Sequence, residues 1–343
     1  MWFTITILIM VLVFGVLIFI HEAGHFMTAR ACGVTVREFA IGMGPTIFHW
    51  NSKKHGTRYG LRLLPIGGFV SMEGEDEASD SEGAFCNKSV PKRMLIVAAG
   101  ALMNLLLGFL LMAIMVFSQG NLGSNVIGRF EENAVSNQQL QVNDRVVKVG
   151  NTSVHTWEEL AYEVMNQGYR PVDITVIRDG EKIRLEDVSF QPLEESGATF
   201  GNCDFIPYAE ERTFGNLMKH TFYRSLSTVK MVYDSLFGMI SGRFGLDAVS
   251  GPVGVAGVVG TAARAGILNL VYIVAVLSIN LGIFNLIPFP ALDGGRFLFL
   301  IIEGIRGKKI NPKIESYINF AGLVILFAFM IFITCKDILK LIF

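Results

Sequence analysis

The sequence predicts a polytopic α-helical membrane protein with four transmembrane helices and a folded extracytoplasmic α+β domain. Of its 343 residues, 51% are hydrophobic and only 17% are charged, whereas soluble domains carry about 25% charged residues. A helix needs about 20 residues to cross a hydrocarbon core. Four stretches are long enough and contain no Asp, Glu, Lys or Arg, namely 1–20, 94–118, 265–292 and 316–335.

The basic residues predict how these helices are oriented. Nine Lys and Arg residues lie from Arg30 to Arg93, and none precedes His21. Because positively charged loops stay in the cytoplasm, this loop is expected inside and the N-terminus outside. Four crossings then place both chain ends and residues 119–264 outside. The first stretch has no basic n-region and no small-residue cleavage site after Ile20, so we expect a retained helix rather than a signal peptide.

Charge and cysteine usage exclude two other kinds of protein. The 29 basic and 30 acidic residues leave a formal charge of -1, so there is no general electrostatic attraction for nucleic acid. The four cysteines are far apart and form no CxxC pair, which argues against a disulfide framework and against a thiolate zinc site. Any metal must therefore be held by other side chains.

The first apolar stretch runs into the sequence HEAGH. His21 and His25 are four residues apart, so on a helix both imidazoles lie on one face and can chelate one ion. Glu22 stands beside them and can act as a general base toward water. Ionisable side chains at the end of an apolar span are rare and usually functional. We therefore predict a zinc site, against the alternative of two helix histidines at a packing interface.

A catalytic zinc ion usually has three protein ligands, so a third residue is needed. The best source is NLIPFPALDGGR, where Pro288 and Pro290 must break the third apolar helix. Asp293 then lies on irregular backbone at membrane depth, which is tolerated where it lines a polar cavity. The alternative is a helix cap at the cytoplasmic boundary. With an incomplete zinc site in the same membrane, we favour Asp293 as the ligand.

Three motifs together give the chain a family resemblance. HEAGH, GALMN at residues 100–104 and N-x-x-P-x-P-x-L-D-G at residues 285–294 resemble the site-two protease family of intramembrane zinc metalloproteases. With one insert outside, the chain is similar to the bacterial branch of the regulator-of-sigma-E protease type over essentially its whole length. The resemblance implies His21, His25 and Asp293 as zinc ligands.

The resemblance also implies roles for three polar residues. Glu22 would be the general base, and Asn285 would bind substrate or stabilise the oxyanion. Asn104 of GALMN would contact substrate or pack between helices, and a plain interhelical hydrogen bond is an equal alternative.

The insert of residues 122–191 is patterned like a small globular domain and is similar to the PDZ domains of that branch. Where those domains have a Gly-x-x-x-Gly-Asp turn, this chain has Gln139 and Asn143 at the glycine positions. Asn143 tolerates positive φ, so we expect the turn to form. The predicted elements are strands 126–130, 144–149 and 173–178, a hairpin turn over Asp179 and Gly180, and a helix capped by Thr156 with Glu159.

The segment RYGLRLLPIGGFVSMEG in the cytoplasmic loop resembles the family's membrane-associated β-hairpin. Gly67 and Gly68 can bring its backbone close to a substrate strand, with Phe69 beside them. Pairing with an exposed strand edge would hold a substrate extended. The alternative is a hairpin that only packs the cytoplasmic side.

Other parts of the chain complete the expected organisation. Residues 213–240 have apolar positions at helical spacing, which predicts an amphipathic helix lying on the membrane or on the small domain. The glycine-rich residues 249–260 are expected to be a connector. The chain is therefore expected to have four parts. Residues 1–118 hold the first two spans and the hairpin loop, and residues 122–191 form the PDZ-like domain. Residues 192–264 hold the amphipathic helix and connector, and residues 265–343 hold the last two spans.

The function implied by the resemblance is intramembrane proteolysis in a bacterial cytoplasmic membrane. Substrates would be single-pass proteins that a site-one protease has already trimmed, such as anti-sigma factors or leftover signal peptides. An alternative enzyme is a zinc protease of the prenyl-protein-processing or heat-shock type, which takes a glutamate from a downstream helix as third ligand. An alternative of another class is a catalytically silent scaffold that presents a PDZ domain.

Overall fold

The structure, a computed structural model, describes residues 2–54, 56–75, 77, 79–195, 198–246 and 249–342. The chain divides into two compact units, a helical unit of Met1–Gly108 with Ser250–Phe343 and an insert unit of Phe109–Val249. In chain order the elements are α1 (Trp2–Ala31), β1 (Val36–Asn51), β2 (Arg58–Met72), α2 (Val90–Ser118), β3 (Leu122–Phe130), β4 (Arg145–Val149), β5 (Thr152–Ser153), α3 (Trp157–Gln167), β6 (Val172–Arg178), β7 (Glu181–Val188), β8 (Gln191–Glu195), β9 (Ala198–Asn202), β10 (Phe205–Glu210), α4 (Phe214–Ile240), α5 (Pro252–Ala265), α6 (Ile267–Leu286), α7 (Asp293–Arg306) and α8 (Pro312–Ile342).

Four helices of the described chain are long and apolar enough to cross a membrane. They are α1, α2, α6 and α8, and each coincides with one of the four uncharged stretches. The prediction of four candidate spans is therefore confirmed. Met1, at the start of the first predicted stretch, lies outside the described residues.

The glycine-rich connector expected at residues 249–260 is instead largely helical. Helix α5 begins with Pro252, where the missing N–H breaks no helical bond. Asp337 of α8 accepts hydrogen bonds from the backbone N–H groups of Gly251 and Gly254, both at 2.8 Å, and so caps the helix. A side chain at Gly260 would overlap Thr6 of α1. The glycines thus permit close packing, and the prediction of a connector is wrong.

The break predicted at the prolines is present. Helix α6 ends at Leu286, and the chain is extended at Ile287 and Leu292 before α7 begins. Asp293 itself is the first residue of α7. The expectation of irregular backbone at Asp293 is thus corrected, because the irregular segment ends one residue earlier.

Strands β1 and β2 form a bent hairpin in which each contributes two segments. Residues 38–41 lie beside 68–71 on one side and beside 58–61 on the other, and 48–51 pair with 58–61. Among the described residues, segment 68–71 therefore lies at one edge of the hairpin. Phe39 packs on Phe26 of α1 with ring centroids 5.1 Å apart, which holds the hairpin against that helix.

The insert unit is built on an antiparallel sheet in the order β10-β3-β4-β6-β7, with β5 paired to β4 and a separate β8-β9 hairpin. The predicted strands, the turn over Asp179 and Gly180 and the capping box of Thr156 with Glu159 are all present. Asn143 has φ of 74°, as expected for the turn. The core is formed by large apolar side chains of the sheet and α3, including Ile127, Leu140, Val146, Leu160 and Ile174.

Residues 192–264, expected to hold an amphipathic helix and a connector, also contain strands. Strand β10 pairs with β3 and closes one side of the sheet, and β8 pairs with β9. The predicted amphipathic helix is present as α4, capped by Thr213. Tyr162 of α3 donates to Asp234 of α4 at 2.8 Å, so α4 packs on the small domain through its polar face.

Candidate metal centre

Three side chains from two helices meet in the helical unit. The Nε2 atoms of His21 and His25 lie 3.2 Å apart, and both face Oδ2 of Asp293, at 3.0 and 3.2 Å respectively. The two imidazoles are buried, and their planes are inclined by 84°. Helical periodicity places the histidines together on α1, whereas Asp293 arrives from the first turn of α7.

This arrangement fits a zinc ion. The three ligand atoms lie within 4.8 Å of one another, and no other such cluster of three His, Cys, Asp or Glu side chains occurs in the described chain. Oδ2 of Asp293 is buried and makes no hydrogen bond of acceptable geometry, so its lone pairs are available. Two imidazoles and one carboxylate are a ligand set typical of catalytic zinc, which keeps a fourth position open.

Helix α2 orients both histidines without supplying a ligand. Nδ1 of His25 lies 2.9 Å from the carbonyl oxygen of Ile96. This contact places the ring proton on Nδ1 and leaves the Nε2 lone pair free for a metal. Asn104 lies eight residues beyond Ile96 on α2 and is completely buried. Its Nδ2 atom is 3.3 Å from Nδ1 of His21.

The amide of Asn104 can do the same for His21. As placed, its Oδ1 is buried and has no partner, and amide oxygen and nitrogen are assigned from such networks. Rotating the amide by half a turn sets Oδ1 to accept the Nδ1 proton of His21. That assignment pairs the amide oxygen with the ring N–H and leaves Nε2 of His21 free for a metal.

Gly100 permits this close approach of α2. A Cβ atom at Gly100 would overlap the rings of both His21 and His25. The first glycine of GALMN is therefore a space requirement of the site. Gly24 of α1 likewise permits the close approach of the two helices, because a Cβ there would overlap the carbonyl of Ala99 on α2.

The two glycines after Asp293 have a similar function. A Cβ atom at Gly294 would overlap the backbone of Leu286 and Ile287, and one at Gly295 would overlap the carbonyl of Phe289. The chain thus folds back tightly on itself between α6 and α7. This turn presents Asp293 to the histidines.

Glu22 lies in a cavity of about 170 Å³ beside the three metal-facing residues. Phe69, Val70 and Met72 of strand β2 line the same cavity. A Cβ atom at Gly68 would lie 3.1 Å from Cγ of Glu22, so the hairpin backbone at Gly68 lies beside this side chain. The cavity therefore joins a potential base, the metal-facing atoms and the edge segment 68–71.

The other predicted site residues are placed differently. Gly67 has φ of 86° and faces the side chain of Met43. Asn285 lies in the last turn of α6, and neither it nor Asn104 lines the cavity. The site also includes residues that the sequence analysis did not select, among them Gly100, Glu75 and Arg296. Arg296 follows Asp293 by one helical turn in the LDGGR motif, and this spacing is the sequence feature that could have predicted its place in the site.

Comparison with known proteins shows the family of this chain. The model of Peptidase family M50 matches residues 9–329. A Clostridium acetobutylicum protein described as a zinc metalloprotease is 36% identical, and the match covers 97% of each chain. The regulator of sigma-W protease RasP of Bacillus subtilis is 30% identical over 99% of each chain, and the zinc metalloprotease RasP of Shouchella clausii is 31% identical over 98% of this chain and 99% of its own.

The family match covers most of the chain, and these relatives align over nearly their whole length. The residues present also suit a catalytic zinc ion. The chain therefore belongs to Peptidase family M50, and it is a zinc metalloprotease of the site-two type.

Proposed function

We propose that this protease cleaves the transmembrane segments of single-pass membrane proteins near the cytoplasmic side of a bacterial cell membrane. The observation that carries the proposal is the position of Glu22, in one cavity with His21, His25 and Asp293 and against the edge of a hairpin. The site is assembled within the helical unit, which contains three of the four candidate spans and α2 as far as Gly108.

His21, His25 and Asp293 would hold the zinc ion. When bound there, zinc lowers the pKa of water and polarises a carbonyl. Glu22 accepts a proton on its carboxylate from the attacking water and later donates it to the leaving amine. General acid-base catalysis of this kind contributes about 10²- to 10⁴-fold in rate.

The hairpin edge would supply substrate binding. A peptide bond inside a helix is hydrogen-bonded and cannot reach the metal, so a substrate must be extended locally. Backbone groups of segment 68–71 at the hairpin edge can pair with such a strand. Because Gly68 has no side chain and lies next to Glu22, a strand paired there would lie beside the base. We propose Gly67, Gly68 and Phe69 as substrate-binding residues on this ground.

The two asparagines take separate roles in this proposal. Asn104 faces His21 and is assigned to orienting that ligand. We propose Asn285, in the last turn of α6, as a contact to substrate or to the oxyanion.

The insert unit would act on substrate choice. We propose that its sheet domain is a PDZ-like filter on the extracytoplasmic side, which admits single-pass proteins already trimmed by a site-one protease. The name of one relative, regulator of sigma-W protease, favours substrates of the anti-sigma-factor type. Leftover signal peptides have the same single-span form.

The alternatives lead to different measurements. A protease of the prenyl-processing or heat-shock type would need a glutamate as third ligand, but the group that faces the histidines is Asp293. A silent scaffold would bind zinc without cleaving peptide bonds.

The test is to reconstitute the intact chain and Glu22→Gln in vesicles with a tagged single-span peptide. We expect both proteins to hold one zinc ion and only the intact chain to cleave within the span. Cleavage by Glu22→Gln at the intact rate, or none by the intact chain, contradicts the proposal.

A further inference from the structure

One ion pair ties the end of the hairpin to helix α7. Arg296 donates from Nη1 to the carboxylate of Glu75 and from Nη2 to the backbone oxygen of Glu75 at 3.0 Å. Oε2 of Glu75 in turn accepts the backbone N–H of Met72, the last residue of β2, at 3.1 Å. A continuous set of contacts therefore runs from the helix that begins at Asp293 to the end of strand β2.

The pair lies where three cavities meet. Glu75 and Arg296 line the metal cavity of about 170 Å³, a second cavity of about 270 Å³ toward Phe85 and Glu303, and a third of about 490 Å³ toward Asn319 of α8. If the two side chains separated, the end of strand β2 that lines the metal cavity would therefore no longer be tied to α7.

The contact is well suited to fixing a position. An arginine that makes two hydrogen bonds is held in orientation as well as distance, which a lysine cannot reproduce. The guanidinium of Arg296 also lies over the ring of Phe85, 5.5 Å from its centroid, and 4.0 Å from Glu315 of α8. Its position is thus determined by three separate parts of the chain.

We propose that Arg296 is a positioning residue that sets the register of the hairpin edge 68–71 against the metal centre. It thereby selects which peptide bond of an extended substrate reaches Glu22. This inference rests on the proposed function, in which substrate pairs with that edge. A strand advances about 3.3 Å per residue, so a shift of the hairpin by that distance brings a neighbouring peptide bond to the same place.

The experiment compares cleavage positions, which a general loss of stability does not move. The intact chain, Arg296→Ala, Arg296→Lys and Glu75→Gln are each reconstituted with a tagged Leu/Ala single-span peptide carrying a Gly-Pro pair near its cytoplasmic end. Glu75→Gln keeps an acceptor for the Met72 N–H but removes the charge that holds Arg296. Product masses give the cleaved bond, and zinc content is measured in parallel.

Helix α7 offers a matched control. Arg93 of α2 binds Glu303 of α7 through two hydrogen bonds of 3.0 and 2.6 Å. Arg93→Ala therefore loosens the same helix without touching the hairpin. It should lower stability and leave the cleaved bond unchanged.

We expect the intact chain to cut mainly one bond. Arg296→Ala and Glu75→Gln should retain zinc, raise KM several-fold and spread cleavage over adjacent bonds, with Arg296→Lys intermediate. The inference is overturned if Glu75→Gln and every folded Arg296 variant cut the same single bond with unchanged KM, or if Arg93→Ala spreads cleavage equally. Absence of cleavage by the intact chain would instead refute the proposed function.

Discussion

The side-chain amide of Asn104 lies 3.3 Å from Nδ1 of His21, while Nε2 of the same ring faces Asp293 at 3.0 Å. The two ring nitrogens of His21 thus have separate partners. When Oδ1 of Asn104 accepts the Nδ1 proton of His21, the lone pair of Nε2 is left free for a metal, so we expect Asn104 to support metal binding by His21.

Asn104→Ala should weaken zinc binding by about 10- to 100-fold, because partners of metal-binding histidines typically contribute that much. Competition with a chelator of known affinity measures the effect. Ser278→Ala is the control, since Ser278 donates to the backbone oxygen of Asn104 at 2.7 Å and does not touch the ring. Equal zinc affinity in Asn104→Ala and the intact chain would exclude this role.

Gly100→Ala should displace both histidines, because the added methyl group would overlap their rings. We expect zinc content and cleavage to fall while the protein still inserts and folds. Gly257→Ala on α5 is the matched control, since no atom lies within 4 Å of a Cβ there. Alanine at that exposed helical position should be neutral or stabilise by up to about 1 kcal/mol. A Gly100→Ala protein with full zinc content would show that α2 can move away freely.

Asp293→Ala should lower zinc content and cleavage together, because two histidines alone leave the site one ligand short. Metal analysis after gel filtration measures the first, and the single-span peptide assay measures the second. Full occupancy in this variant would mean that the third ligand lies elsewhere. Asp293→Glu, which keeps the charge but lengthens the side chain, should retain part of the zinc and little of the activity.

Removing the insert should leave the metal site assembled, because its residues all belong to the helical unit. Since β10 pairs with β3 and α4 packs on α3, a clean deletion must extend beyond Gln191 and include α4. If the insert is a filter, untrimmed single-span substrates with bulky outside portions should then be cut, and trimmed ones cut as before. The filter idea fails if untrimmed substrate stays intact while trimmed substrate is processed normally.

The insert unit also predicts a dependence on pH. Buried His220 of α4 lies between Glu210 of β10 at 2.8 Å and Glu158 of α3 at 3.3 Å. Burial lowers the pKa of His220, but the two carboxylates outweigh burial and raise the pKa above its ordinary value. Lys219 and Arg224 bind the same two carboxylates.

Because the folded pKa of His220 is raised, its contribution is fully present below the unfolded value of about 6.5 and is lost as pH rises through the folded value. We therefore expect α4 to exchange amide hydrogens faster at pH 9 than at pH 6, after correction for intrinsic rates. Hydrogen exchange on the full chain measures this, and His220→Gln should remove most of the difference. An unchanged pH dependence in that variant would assign the effect to another group.

Local chemistry made some of these features predictable from sequence. Four-residue spacing alone places His21 and His25 together, and the prolines before Asp293 alone require a helix break. Helix α5 was missed because each glycine costs about 1 kcal/mol relative to alanine in a helix, and its cap comes from Asp337, 83 residues beyond Gly254. Strand β10 was missed because its partner β3 lies far earlier in the chain.

The roles of Asn104 and of the Arg296 and Glu75 pair depend on contacts between distant segments. Arg296 and Glu75 are separated by 221 residues, and no local pattern encodes such a contact. In each case the sequence shows the residue within a motif or loop but does not show which distant residue it contacts. The packing of the helices and the hairpin determines those partners.

Helix α2 holds both histidines through the Ile96 carbonyl and the Asn104 amide, and Gly100 leaves no spare room between the helices. We therefore expect α1 and α2 to form one rigid wall of the site. A substrate strand can then enter only if the opposite wall, formed by the hairpin and α7, moves. We expect variation among related proteases in which bonds they cut to be concentrated there, while the α1 and α2 faces tolerate almost no change in volume.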